Sequence, residues 1–209
     1  MLVNYNSAIL EVKFLLKSSL LAEVISVIYL PPLVSLWLFI VFALYSPAEI
    51  GNPSLFFVFV GITFFTILPL LTLILLARDH EPTFAVPRAS RNVSYAVVFL
   101  EYIIGSLIFY LGKVAVLFII GLIYIVIIAT LMVINRFWKI SVHAAGISGP
   151  ATFCLYIFGP FTLWAVPLLL SVVLVIWARY QLKAHTFSQL VGGTLIASII
   201  TLIIAYLSF

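Results

Sequence analysis

The segment Val114–Ile134, VAVLFIIGLIYIVIIATLMVI, is a run of 21 residues without a charged side chain. A helix of about 20 apolar residues crosses a hydrocarbon core of roughly 30 Å. Lipid tolerates only helices and closed barrels, because each backbone polar group needs a partner inside the protein. The apolar residues here are continuous rather than alternating, which excludes a barrel strand. The segment therefore predicts a transmembrane helix.

The composition extends this prediction to the whole chain. Of 209 residues, 66% are hydrophobic and 8% are charged, against about 45–50% and about 25% in soluble domains. The net charge is +4, but no soluble segment is long enough to carry a basic patch, which argues against a nucleic-acid partner. We expect an integral membrane protein of the prokaryotic plasma membrane, whose partner is the bilayer. The oligomeric state is not determined by these features.

Charged residues, prolines and glycines divide the chain into seven candidate spans. We therefore expect an all-α transmembrane bundle of six to seven spans, forming one domain over residues 1–209. Pro31 and Pro32 remove two backbone donors and are expected to kink the first span. The mixed apolar and basic residues within 1–23 are typical of an interfacial helix. The candidate spans are Val24–Tyr45, Leu55–Ala77, Tyr95–Leu111, Val114–Ile134, Val142–Phe158, Phe161–Ala178 and Thr186–Leu207.

Ionisable residues are concentrated in three of the six connections, Arg78–Arg91, Arg136–His143 and Arg179–His185. These connections follow the second, fourth and sixth spans, so all three are expected at one face of the membrane. The three histidines of the chain, His80, His143 and His185, belong to them. The preference of basic residues for the cytoplasm places this face inside the cell. The preference of arginine and lysine for the cytoplasmic side alone explains the position of the basic residues, but it does not explain the position of the histidines.

The last of these connections has the spacing Arg179-x5-His185-x3-Gln189. If a helix begins near His185, then Gln189 lies one turn further along the same face and can reach the imidazole. Arg179 presents a fork of donors that suits phosphate oxygens, and Lys183 adds a second charge. The alternative interpretation is a pair of interfacial basic residues whose charges reach the headgroup layer, beside a capping histidine.

The second connection leads into RFWKISVHAAGISGPA, residues Arg136–Ala151. Ser141 and His143 precede a run of small residues, which lets neighbouring backbones come close. The exposed amides at a helix start also favour an anion. Helix packing alone would explain the small residues but would leave His143 without a role.

Together these residues resemble the type 2 phosphatidic acid phosphatase (PAP2) superfamily, the lipid phosphate phosphatases. ARYQLKAHTFSQ matches the arginine, histidine and spacing of the family motif Ser-Arg-x5-His-x3-Asp, with Ala178 and Gln189 at the serine and aspartate positions. ISVH matches the serine and histidine of the Pro-Ser-Gly-His motif, and RDHEPTFAVPRASR stands where the family has its basic motif. The resemblance covers residues 78–209 and implies a PAP2-like helical core.

The resemblance also implies an enzyme mechanism without metal or cofactor. His185 would attack phosphorus to form a phosphohistidine, and His143 would protonate the leaving oxygen and then assist water. Phosphoryl oxygens would be held by Arg179, Arg88, Arg78 and Lys139, with backbone amides near Ser141. Gln189 would support His185, and Lys183 would add charge.

The expected substrates are lipid phosphates or diphosphates, with isoprenoid compounds favoured because no sizeable extramembrane domain is present to read a glycerol headgroup. Since Gln189 replaces an aspartate, a non-catalytic protein that binds or transports anionic lipids is the alternative. Glu101, inside the third span, would be either a partner for His185 or an arginine, or a protonated glutamate hydrogen-bonded between helices.

Overall fold

The computed structural model describes residues 18–46, 53–76, 88–163 and 165–209, with the side chains of residues 88–91 excepted. Within these ranges the protein consists of eight helices and has no strand, which confirms the all-α prediction. The helices are α1 (Ser18–Ile28), α2 (Pro31–Tyr45), α3 (Leu55–Leu76), α4 (Arg88–Leu111), α5 (Ala115–Asn135), α6 (Val142–Phe158), α7 (Ala165–Gln181) and α8 (Phe187–Ser208).

Four helices in the described part of the chain are long and apolar enough to cross a membrane. They are α3, α4 from Asn92 onward, α5 and α8, and α1 with α2 would form a fifth, bent span. Helices α6 and α7 are apolar but contain only 17 residues each. The helices have the length and composition expected of an integral membrane protein.

The first predicted span is broken at its proline pair, as expected. Helices α1 and α2 meet at an angle of 52°. Leu30 adopts an extended conformation, with φ of −60° and ψ of 132°, and Pro31 begins α2. A residue before proline avoids the helical region, and proline fits the first helical position because its missing N–H has no partner there. Of the predicted interfacial helix over residues 1–23, residues 1–17 lie outside the described ranges.

Helix α3 contains a π-helical turn at Thr63–Ile67, followed by Pro69. Proline cannot donate to the carbonyl four residues earlier, which here belongs to Phe65. The buried Ser35 hydroxyl of α2 donates to that carbonyl at 2.6 Å. A side chain of a neighbouring helix thus replaces the backbone donor that the proline lacks.

The core between α2, α3, α4 and α5 is built from aromatic rings. Phe65 stacks on Tyr102 with ring centroids 4.8 Å apart and on Phe109 at 5.9 Å. Tyr124 of α5 meets Tyr102 edge-on at 5.3 Å. These three partners and Phe65 are each at most 6% exposed. Rings in these arrangements stabilise one another beyond their burial, so this part of the bundle is closely packed.

Helices α6 and α8 pack closely at the end of the bundle where both begin. A Cβ atom on Gly193 would lie 2.6 Å from the Ser141 carbonyl oxygen. Ala144 and Ala145 of α6 are fully buried at the same contact. The small residues at the start of α6 therefore allow the close backbone approach that the sequence predicts.

Candidate functional site

A cavity of about 300 Å³ lies among the ends of the helices. One part of its wall is polar and comes from two of the predicted connections: Lys139 and His143 precede and begin α6, while Arg179 and His185 end α7 and precede α8. Four predicted site residues, separated by up to 46 positions in the chain, therefore line one space.

The remaining wall is almost entirely apolar. It includes Pro31 and Pro32 at the break between α1 and α2, residues of the last turns of α3, and Tyr95 and Tyr102 of α4. Ile74, near the end of α3, and Ser94, near the start of α4, both contribute. These residues flank the first predicted connection, so the described ends of all three connections converge here. Arg78 and His80 lie outside the described residues, and Arg88 is described only as the first residue of α4.

Two local motifs bring His185 beside Arg179. At the end of α7 the amide of Ala184 donates to the Arg179 carbonyl at 3.1 Å, and that of Lys183 donates to Tyr180 at 2.9 Å. With Lys183 at φ 52°, this is a Schellman motif, which reverses the chain direction. Helix α8 then begins with a capping box between Thr186 and Gln189. His185 stands between the two motifs, and its position follows from both.

The Nδ1 atom of His185 faces two oxygen acceptors. The Lys139 carbonyl oxygen and Gln189 Oε1 each lie 3.3 Å away. The Thr186 amide donates to the same Gln189 oxygen at 3.1 Å, which fixes the orientation of the side-chain amide. These acceptors favour a proton on Nδ1, so Nε2 is the basic and nucleophilic nitrogen of the ring.

His143 lies beside the break between α1 and α2. Its ring is close to the backbone of Ser26. Ser26 belongs to the last turn of α1, where carbonyl groups lack partners within the helix. His143 Nε2 is buried and has no hydrogen-bond partner among the described residues. A buried ring nitrogen in this state is left to bond with a ligand in the cavity that His143 lines.

Basic side chains line the polar part of the cavity. Arg179 is only 2% exposed and His185 is 8% exposed, and both act electrostatically on His143. No carboxylate from the described residues lines the space. Because a buried guanidinium remains charged and is poorly solvated, this arrangement favours an anionic ligand with several oxygen atoms.

Three other residues that the sequence singles out, Ser141, Lys183 and Glu101, do not line the cavity. Ser141 is fully buried, and its hydroxyl caps α6 by accepting from the Ala144 amide at 3.3 Å rather than lining the cavity. Lys183 is exposed and also lies outside the lining. Glu101 accepts a hydrogen bond from Thr72 at 2.6 Å, so the glutamate joins α4 to α3, as the interhelical alternative predicts.

Sequence reasoning did not place Ser26, Tyr95 or Tyr102 at the site. The proline pair carried a usable signal, because broken helices inside a membrane commonly line a binding cavity. Tyr95 and Tyr102 are two turns apart on one face of α4, but only the packing of α3 and α5 shows which face turns towards the histidines.

No family model, curated protein or solved structure matches this chain. The chemistry of the cavity is therefore the basis on which a function is assigned. Two histidines, one arginine and one lysine converge on it from connections that are distant in sequence.

Proposed function

We propose that the protein is a membrane-embedded lipid phosphatase of the PAP2 type, with six to seven spans and a cytoplasmic active site. It would hydrolyse phosphate or diphosphate monoesters of lipids, with isoprenoid compounds as the preferred substrates, through a phosphohistidine intermediate. The observation that carries the proposal is the position of His143, Arg179 and His185 at the polar part of one apolar cavity.

His185 would be the nucleophile. Its Nδ1 proton is directed at Lys139 and Gln189, so Nε2 attacks phosphorus. In a monophosphate, the N–P bond forms as the bond from phosphorus to the lipid oxygen breaks. In a diphosphate, the bond that breaks joins the terminal phosphorus to the bridging oxygen. Gln189, although neutral, selects the tautomer that this step requires, as the carboxylate of a catalytic triad does.

His143 would transfer protons in both steps. It first protonates the leaving oxygen from its doubly protonated form, which the negative charge of the bound phosphate would stabilise. Its buried Nε2 has no competing partner among the described residues. It then takes a proton from water, whose oxygen attacks phosphorus as the N–P bond breaks. The products are inorganic phosphate and either the lipid alcohol or the lipid monophosphate, and the enzyme returns to its starting state.

Arg179 and Lys139 would bind the phosphoryl oxygens and stabilise the charge that builds on them in the transition state. We assign Arg78 and Arg88 to the same task, since the described ends of their connection reach the cavity. The apolar wall would hold the first part of the lipid chain. A site with a charged end and an apolar body selects amphiphilic phosphates over soluble ones.

The test is phosphate release by purified protein in detergent with EDTA. Geranylgeranyl diphosphate, farnesyl diphosphate and phosphatidic acid serve as substrates, and His185→Ala and His143→Ala serve as variants. We expect the wild type to release phosphate and both variants to lose at least about 99% of the rate. A terminally labelled substrate should leave an acid-labile, alkali-stable phosphoryl group on the wild type but not on His185→Ala.

Glu101→Gln is the matched control, because it changes an ionisable group that binds Thr72 outside the cavity lining. It should retain activity. Binding of these lipids without any phosphate release would reject the phosphatase and leave a lipid-binding or transport protein as the explanation of the site.

A further inference from the structure

The main cavity is adjacent to a second, smaller one. The smaller cavity has a volume of about 30 Å³, close to the share of one water molecule in the liquid. It is lined almost entirely by apolar side chains of α5 and α6. Pro31, Tyr102, Ile128 and Val142 line both cavities, so these four residues form the partition between them.

Tyr102 is the largest member of this partition, and other aromatic rings contact it on two sides. It is 4% exposed. Its ring stacks on Phe65 at 4.8 Å with an interplanar angle of 7°, and Tyr124 meets it edge-on at 5.3 Å. A ring held on two sides in this way cannot easily rotate aside. The partition is therefore a fixed wall of the main cavity.

We propose that Tyr102 limits the length of the lipid chain that the main cavity accepts. This inference rests on the proposed function: the phosphate of a single-chain isoprenoid diphosphate lies among the histidines and Arg179, and its chain extends along α4 to Tyr102. A volume of about 300 Å³ is at the lower end of the range for small-molecule sites. It fits one short chain segment and not the two chains of a diacyl lipid.

The experiment measures the binding affinity, rather than the hydrolysis rate, of diphosphates with different chain lengths. Every protein carries His185→Ala, so that the ligand is not consumed, and dissociation constants for geranyl, farnesyl and geranylgeranyl diphosphate are measured by native mass spectrometry. Tyr102→Ala joins the two cavities. It should strengthen geranylgeranyl diphosphate binding relative to geranyl diphosphate by at least about tenfold, the effect of burying two further CH₂ groups.

Two control variants test whether a change in the binding ratio comes from the space available to the lipid chain or from looser packing of the helices. Tyr102→Phe keeps the ring and should leave the ratio between the two ligands unchanged. Phe109→Ala removes a fully buried ring that stacks on the same Phe65 but lines neither cavity, and it should also leave the ratio unchanged. An increase in Phe109→Ala equal to that in Tyr102→Ala would overturn the proposal.

The remaining outcomes distinguish the two proposals. If all three diphosphates bind and Tyr102→Ala does not alter their ratio, the chain leaves the cavity by another route. Tyr102 then has no role in length selection, while the phosphatase proposal stands. If no diphosphate binds to any variant and the wild type releases no phosphate, both proposals fail together.

Discussion

Gln189 shows how one side chain can serve both the fold and the site. Its oxygen accepts from the Thr186 amide in the capping box and also faces His185 Nδ1 at 3.3 Å. Glutamate can form the same capping box, whereas leucine, of similar size, accepts no hydrogen bond. Leucine at this position therefore removes the acceptor for His185 and the capping box together, whereas glutamate keeps both.

We expect Gln189→Leu to lower kcat for phosphate release by at least about tenfold, because the Nδ1 tautomer of His185 loses one of its two acceptors. Gln189→Glu should keep at least the wild-type kcat, since a carboxylate supports both the tautomer and the positively charged ring. The measurement is steady-state phosphate release in detergent, with melting temperatures recorded for both variants. Equal kcat values for Gln189→Leu and the wild type would show that Lys139 alone orients the ring.

At the level of helices, the contact between α6 and α8 sets the distance between the two histidines. We expect Gly193→Ala to lower stability by about 1–3 kcal/mol, because the added methyl group meets a backbone oxygen that cannot move aside. Helix α8 should then shift away from α6, and phosphate release should fall more than the melting temperature alone would explain.

Gly192→Ala is the matched control for this change. Its methyl group would lie 2.7 Å from the far edge of the Trp138 ring, but Trp138 is 37% exposed and can turn. Its activity should stay near that of the wild type. If both variants lose activity equally, the effect comes from helix propensity and not from the distance between α6 and α8.

The hydrogen bond from Ser35 to the Phe65 carbonyl, which Pro69 leaves without a backbone donor, gives a second test at the level of helices. Ser35→Ala leaves the buried Phe65 carbonyl without its 2.6 Å donor and should lower stability by about 1–3 kcal/mol. In a Pro69→Ala background the alanine amide can donate a hydrogen bond to that carbonyl. The same Ser35 substitution should then lower the free energy of unfolding much less. The four proteins form a double-mutant cycle, and additive melting temperatures would contradict the explanation.

For the whole molecule, the cavity and the described ends of the three ionisable connections lie at one end of the bundle. Lys183 lies at that end, whereas Lys113 lies in the turn between α4 and α5, and both are exposed. Single cysteines at these positions, in a Cys154→Ala background, can be labelled with a membrane-impermeant maleimide. We expect Lys183→Cys to react only in inverted vesicles and Lys113→Cys only in intact cells. The opposite pattern would place the cavity on the outer side of the membrane.

The amino-acid sequence by itself determined the helical class, most helix boundaries and the break at Pro31. These depend on local properties, since continuous apolar runs require internally bonded helices and proline lacks an amide donor. The predicted span Val142–Phe158 coincides with α6, and Leu55–Ala77 coincides with α3 over the described residues. Counting the spans also predicted that the connections with His143 and His185 meet, as they do at the cavity.

Only the tertiary structure decided how those connections meet. It placed His143 beside the backbone of Ser26 and the Lys139 carbonyl against His185, and it turned Tyr102 towards the cavity. It also assigned the Ser141 hydroxyl to capping α6. Each of these outcomes depends on side chains packing across helices that are distant in sequence. Apolar periodicity shows that a helix is buried, but it does not identify the atoms that the helix will meet.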